Sequence, residues 1–436
     1  MKKLLVALVS LGLVIVSSQV LAQTTITAKM HADLKHMDPY WTTTIITQNF
    51  GYMVYDVLFT LDAAGRIVPQ MVGNYEVSRD RMTYTFTLRP ELKWSDGNPV
   101  RAQDCVASIR RWAKYDAAGG KLLAKVDSLR ALNDRTFEMK LKEPYPLVLR
   151  ALAKVYGIVP FMTPEKVALR EAAGGAVEQI IGSGPFTYSL AESRQGTVDV
   201  FYKNKLYVPR DEPASYFAGG KRVYVDKVVW RSIPDYATAV AALKRGEIDL
   251  AEIVPSDLIP TLRTDPNISV ELQGVSQMQI HPNHLIPPFN NVKARQALML
   301  MVKQSDYLRA MAGNDPANWR ECFAYLGCGT PLEDTTGMEM LREFNVAKAR
   351  QLVKESGYGG EPIVVMVPTE PPHTHAASMY TVQMLKEIGF NVNAQTMDWG
   401  TLTSRRAIKA DPKTDPGGWH IFHTTSGAWA LPDPWG

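Results

Sequence analysis

Residues 67–111, IVPQMVGNYEVSRDRMTYTFTLRPELKWSDGNPVRAQDCVASIRR, constrain the fold more than any other stretch of the chain. Residues 82–88 alternate apolar and polar side chains as a half-buried strand does, and Asp96-Gly97 supplies a turn. Residues 99–111 then read as a helix entered through Ala102-Gln103-Asp104. A strand, a tight turn and a helix in immediate succession define a mixed α/β chain. The same grammar continues with no tandem repeat. Strands are expected at 24–28, 133–141, 186–190, 227–233 and 391–396, and helices at 48–58, 146–153, 236–245 and 376–388. Gly182-Ser183-Gly184-Pro185-Phe186 forms a tight turn feeding a strand, and Gly246 closes a helix.

A chain of 436 residues is too long for one core, so two or more domains follow. Residues 1–22 carry Lys2-Lys3, an apolar run over 4–16 and the small-residue site Val20-Leu21-Ala22, which is the plan of a cleaved secretory signal. The apolar run is well short of the ~20 residues that span a bilayer, and no cysteine near the cleavage point offers a lipid anchor. A Gram-negative periplasm is the implied compartment. There, Cys322 and Cys328, close together in a segment turned by Gly327, Gly329 and Pro331, favour a disulfide over a metal site. Cys105 sits in the helical pattern as a buried structural thiol. The net charge of +4 is small and its signs are mixed, so nothing marks a nucleic-acid surface.

The order of strand, W-S-D-G turn and P-x-x-A-x-D helix resembles the solute-binding proteins of bacterial ABC importers, family 5, the oligopeptide, dipeptide and nickel class. Further blocks resemble that family in its order. They are GSGPF at 182–186, IPDYATAVAALKRGEIDL at 233–250, PPFNNVKARQAL at 287–298, AKARQLVKESGY at 347–358 and VQMLKEIGFNV at 382–392. The resemblance implies an α/β fold of two lobes closing over a solute. Lobe one would span 23–274, with an inserted subdomain at about 61–181, and lobe two 275–436, with the crossover near 275–280. Family members continue past Gly436, so lobe two is expected to be incomplete in a fragment or truncated product. The implied role is a monomeric periplasmic carrier, not an enzyme, that hands a small organic or peptide-like solute to an inner-membrane ABC permease and needs no cofactor.

By position after Asp38-Pro39, the family's ligand loop falls on Thr43, Thr44 and Ile45, where the threonines offer hydroxyls and an ordinary capping loop is the competing reading. Trp399 matches an aromatic pocket residue, with core packing as its alternative. Arg406 falls where a basic pocket residue can occur, although a solvated helix face beside Arg405 is the favoured reading. Residues 420–434 resemble the second-lobe ligand strand, in which Ser426, Gly427 and Ala428 can meet an extended solute through the main chain. Peptide binders of the family place an Asp on the α-ammonium four residues before the final Pro. Here that position is Ala430, with Asp433 displaced between two prolines, so the solute should be neutral or anionic at that end.

A metal or metal-chelate carrier is the rival reading, because His373, His375, His420 and His423 form two short pairs. Residues 420–426 read as extended, which turns His420 and His423 to opposite faces, and His373 and His375 read as a loop after Pro371-Pro372. No metal is therefore assigned. A secreted hydrolase is disfavoured by the lack of G-x-S-x-G, H-E-x-x-H and phosphate-loop motifs. Protein recovered from the periplasm should begin at Gln23; N-terminal sequencing that reads Met1 would refute the cleaved signal.

Overall fold

The computed structural model describes residues 23–170, 179–271, 276–329 and 333–427; the signal segment, Ala428, Ala430 and Asp433 lie outside them. Three main sheets organise the chain. The first is five-stranded, in the order Phe186–Tyr188, Val198–Lys203, Lys227–Arg231, Thr25–Lys29 and Leu250–Ala251. Thr25–Lys29 runs parallel to both its neighbours, whereas Val198–Lys203 is antiparallel to Lys227–Arg231. The helix Tyr236–Lys244 leads from the sheet's centre to its edge. Its N-cap is Asp235, which accepts the Thr238 N–H at 2.7 Å, and Gly246 follows it with φ +69°.

The second sheet is antiparallel, in the order Val72–Val77, Thr83–Leu88, Thr136–Leu141 and Val126–Ala131. Tyr84, Phe86 and Leu88 alternate into its core, as the pattern of 82–88 requires. The helix Ala102–Tyr115 lays Cys105, Ile109 and Trp112 on the same core. Its entry explains the W-S-D-G and P-x-x-A-x-D blocks. Asp104 accepts from its own cap at Arg101 N (2.9 Å), from the Trp94 indole (3.1 Å) and from Glu165 N (2.7 Å), while Gly97 takes φ +90° in the turn. Cys105 is fully buried, and that burial pushes its thiol pKa up.

The third sheet has the order Ser276–Pro282, Ile421–Gly427, Ile363–Pro368 and Val392–Met397. Ile363–Pro368 is buried along its whole length and parallel to its neighbours, which is why its sequence is a continuous apolar run. Residues 276–280, read as a crossover, belong to a strand antiparallel to Ile421–Gly427. Cys322 and Cys328 are joined, with Cα atoms 5.7 Å apart.

Two element assignments change. The helix expected at 48–58 is Ile45–Val54, because Thr44 takes the extended N-cap conformation and the chain must leave the helix at Val54 to form Asp56–Val57. Gly182 and Gly184 enforce that exit: Gly184 N–H donates to Val54 O at 2.9 Å, and a Cβ on Gly184 would stand 2.6 Å from the Val54 carbonyl carbon. The helix expected from 376 begins at Pro372, so His373 and His375 are helical; proline suits the first turn, where its missing N–H is not needed. Gly184→Ala is expected to destabilise the protein by about 2–4 kcal/mol through this backbone collision. Equal denaturant midpoints for variant and wild type would contradict it.

Candidate functional site

Both parallel regions end at the same place. Met30 to Asp33 follow Thr25–Lys29, Ser232 and Pro234 follow Lys227–Arg231, Thr369 and Glu370 follow Ile363–Pro368, and Asp398 follows Val392–Met397. The carboxyl ends of the first and third sheets therefore face each other, the position where open α/β sheets bind ligands. Between them lies a cavity of about 250 Å3, and a shallower depression of about 700 Å3 opens beside it at Lys35, Gln195 and Ser404. One apolar core joins the two sides: Phe50, Phe201 and Trp230 from the first pack in one cluster with Met366, Trp399, Leu402 and Phe422 from the second. Polar bridges rim this contact. Lys35 pairs with Asp398, and His36 Nε2 lies 3.2 Å from Ser404 Oγ.

The residues expected from sequence fall into three groups. Thr43 and Arg406 meet, with Arg406 Nη2 donating to Thr43 Oγ1 at 2.6 Å across the contact. Ser426 and Gly427 end the strand Ile421–Gly427, whose register pairs Ser426 with Gln277. Gln277, Gln279 and His281 share one face with Phe422, Thr424 and Ser426, opposite the face that Ile280 turns to the third sheet's core. The Gln277 Oε1 on this row is buried without a hydrogen-bond partner among the described residues. Thr44, by contrast, is buried and bonded to Thr47 Oγ1 at 3.0 Å, and Ile45 is the exposed first residue of a helix. Trp399 opens the helix Trp399–Arg405 with its ring in the shared core, so packing accounts for it. Arg405 and Arg406 part company: Arg405 ties the 416–418 carbonyls together, while Arg406 is half-buried and turned across the contact to Thr43.

Sequence reasoning missed Lys29, Asp33, Asp199 and Glu370, which line the cavity. Lys29 is 5 % exposed; its ammonium donates to Met30 O at 3.0 Å and lies 4.2 Å from the Tyr236 ring centroid. Burial lowers its pKa, against the opposing influence of Glu370, Asp33 and Glu252. Asp199 accepts from Tyr188 Oη at 2.7 Å, and its carboxyl is raised to about 6, first by burial. Tyr156, also missed, brings its Oη to 3.9 Å from where a Cβ on Gly427 would sit.

The four histidines of the metal reading do not converge. His375 Nδ1 lies 2.8 Å from Pro368 O, His420 Nδ1 accepts from Val364 N, and fully buried His423 holds Thr381 Oγ1 at 2.7 Å. Burial lowers the His423 pKa to about 3 and that of His373 to about 4. Among the described residues no group of three or more His, Cys, Asp or Glu side chains is placed to hold a metal ion.

A cleft between two α/β lobes, walled by strand ends from both, defines a two-lobed binding protein. The chain belongs to the bacterial extracellular solute-binding proteins, family 5, whose profile matches residues 66–435. It is 41% identical over 402 residues, covering 90% of this chain and 73% of the relative, to a probable peptide ABC transporter periplasmic-binding protein of Sinorhizobium fredii. It is 24% identical over 402 residues, covering 89% and 71%, to the glutathione-binding protein of Pectobacterium atrosepticum. Against putative peptide-binding proteins of Brucella species it spans 65% of the relative's length. The fold is similar to that of the Escherichia coli murein tripeptide binding protein, with a TM-score of 0.72 at 19% identity over 93% of this chain and 80% of that one. It is equally similar to an Agrobacterium protein in complex with mannopinic acid, with a TM-score of 0.73 at 20% identity over 93% and 78%.

Asp199 gives a pH prediction. Its folded pKa of about 6 stands above the ordinary 3.8, so between about pH 4 and 6 the folded state keeps a proton that the unfolded state has released. Stability from this group falls as pH rises through that window. Asp199→Asn, which keeps an acceptor for Tyr188, should flatten the fall and be more stable than wild type near neutral pH. Denaturant titrations across the window would show otherwise if the two curves stayed parallel.

Proposed function

We propose that this chain is the periplasmic capture component of an ABC importer, binding a small peptide-like or other organic acid and delivering it as a closed monomer to an inner-membrane permease. The signal-like residues 1–22 and the family support that setting. The observation that carries the solute class is Arg406. Its guanidinium is half-buried, reaches across the contact to Thr43, and forms no ion pair with any carboxylate among the described residues. Burial is the cause that lowers its pKa. A buried-side guanidinium with open N–H groups is suited to an acidic group of the solute, in the charge-assisted geometry that arginine favours. The relatives' range, from peptides to glutathione, and the mannopinic acid held by a protein of like fold are compatible with such an acid.

The two sides would close over the solute and separate to release it. Lys35–Asp398, His36–Ser404 and Thr43–Arg406 would part on opening. Native mass spectrometry of the mature protein purified from its host should show a co-purified acidic solute, and rebinding it at a hundredfold excess over Kd should stabilise the fold by about 2.7 kcal/mol. Arg406→Gln should weaken that binding about 10- to 100-fold, whereas Arg405→Gln should lower stability and leave affinity near wild type. Unchanged affinity in the Arg406 variant would overturn the assignment of the acid.

A further inference from the structure

The cavity at the carboxyl ends of the two sheets holds charges of both signs that do not touch. Lys29 enters it from the first strand, 5 % exposed, with only one carbonyl and one aromatic ring on its ammonium and no ion pair among the described residues. Glu370 enters from the opposite lobe. Its Oε1 accepts the Trp399 main-chain N–H at 2.9 Å and its Oε2 accepts from Thr369 Oγ1, but no cation pairs with it among the described residues. Asp33 lies on the same wall as Lys29 and carries no hydrogen bond or ion pair among the described residues. The nearby Glu252 is already taken by His31 Nδ1 at 2.7 Å and by Asn49 Nδ2 at 3.2 Å. A buried charge is tolerated when partnered, yet here the buried Lys29 ammonium and two half-buried carboxylates line about 250 Å3 of space without closing on one another.

We propose that this cavity receives the α-amino-acid head of the solute, with its carboxylate on Lys29 and its ammonium between Asp33 and Glu370. This assignment rests on the importer reading and deepens it. The second anchor sets the length of the solute. From Asp398 on the cavity wall to Arg406 the helix Trp399–Arg405 rises about 12 Å at ~1.5 Å per residue, which is the reach of an extended chain of about three or four residues. A zwitterionic head joined through such a spacer to a distal carboxylate fits both anchors, and a γ-glutamyl peptide is the simplest molecule of that form.

The mature protein is titrated calorimetrically with γ-glutamyl-alanyl-glycine, with its N-acetyl derivative, and with γ-aminobutyryl-alanyl-glycine, which lacks the α-carboxylate. The parent should bind, and each modification should weaken binding about tenfold or more. Glu370→Gln should weaken the parent but leave the N-acetyl derivative unchanged, closing a cycle that a merely structural role would not close. Ligand-free melting curves of the variant control for folding. If the modified peptides bind as tightly as the parent, or if Glu370→Gln weakens all three alike, the cavity assignment is overturned while the importer reading stands. Failure of all three to bind overturns the cavity assignment as well, and the importer reading is then decided by the co-purified solute alone.

Discussion

The buried pair Asp38–Arg111 fixes the frame on which the cleft depends. Arg111 Nη2 donates to Asp38 Oδ2 at 2.5 Å with both side chains nearly sealed from water, and the guanidinium lies over the Tyr40 ring at 4.9 Å. Arg111 belongs to the helix that packs on the antiparallel sheet, whereas Asp38 belongs to the loop leaving the first strand. Asp38 also accepts the Tyr40 N–H at 3.1 Å, so one carboxylate both shapes the loop and ties it to the neighbouring subdomain. Removing one partner of such a pair strands a buried charge at a cost of about 3–5 kcal/mol. Thr43 and the helix Ile45–Val54 follow directly from this loop, and their place in the cleft is inherited from it.

Contact between the two lobes divides its labour. Trp399, Leu402 and Phe422 meet Phe50 and Trp230 in a common apolar cluster, which supplies attraction without setting a register. Register comes from the rim. Lys35–Asp398 is about a third exposed at the lysine and more at the aspartate, so it contributes little energy and works mainly by geometry. Separating the two sides would expose part of the apolar cluster and release the rim bonds together, a change that a bridging solute can bias.

Much of this architecture can be read in the sequence, wherever periodicity and turn chemistry agree. Thr83–Leu88, the turn at Gly97 and the helix capped through Asp104 are local structures specified by local residues, and Gly182-Ser183-Gly184 is legible because only glycine permits so close a backbone approach. The misread helix starts share a cause. Thr42-Thr43-Thr44 favours extended backbone, yet Thr44 is an N-cap, and Pro371-Pro372 looks like a breaker although proline is at home in a first helical turn. The site was harder. Arg405 and Arg406 are neighbours with no local difference, and what separates them is Thr43, 363 residues away. Lys29, Asp33 and Glu370 carry no motif at all, because each is simply the polar residue where a strand ends, and only the facing of two sheets brings them together.

That facing has an energetic consequence for how solute and closure are coupled. In the open protein Lys29, Asp33 and Glu370 can each be hydrated. Closing the lobes buries Lys29 with no carboxylate on its ammonium, and that burial lowers its pKa. The closed form without solute therefore carries an electrostatic penalty that the apolar cluster must offset, whereas a solute that brings its own ammonium and carboxylate removes the penalty and adds charge-assisted hydrogen bonds. The difference between these two closed forms is the differential binding free energy that shifts the population toward closure. A solute lacking charge at its head would fill the same space yet leave the penalty in place, so recognition and closure are made to depend on the same three side chains.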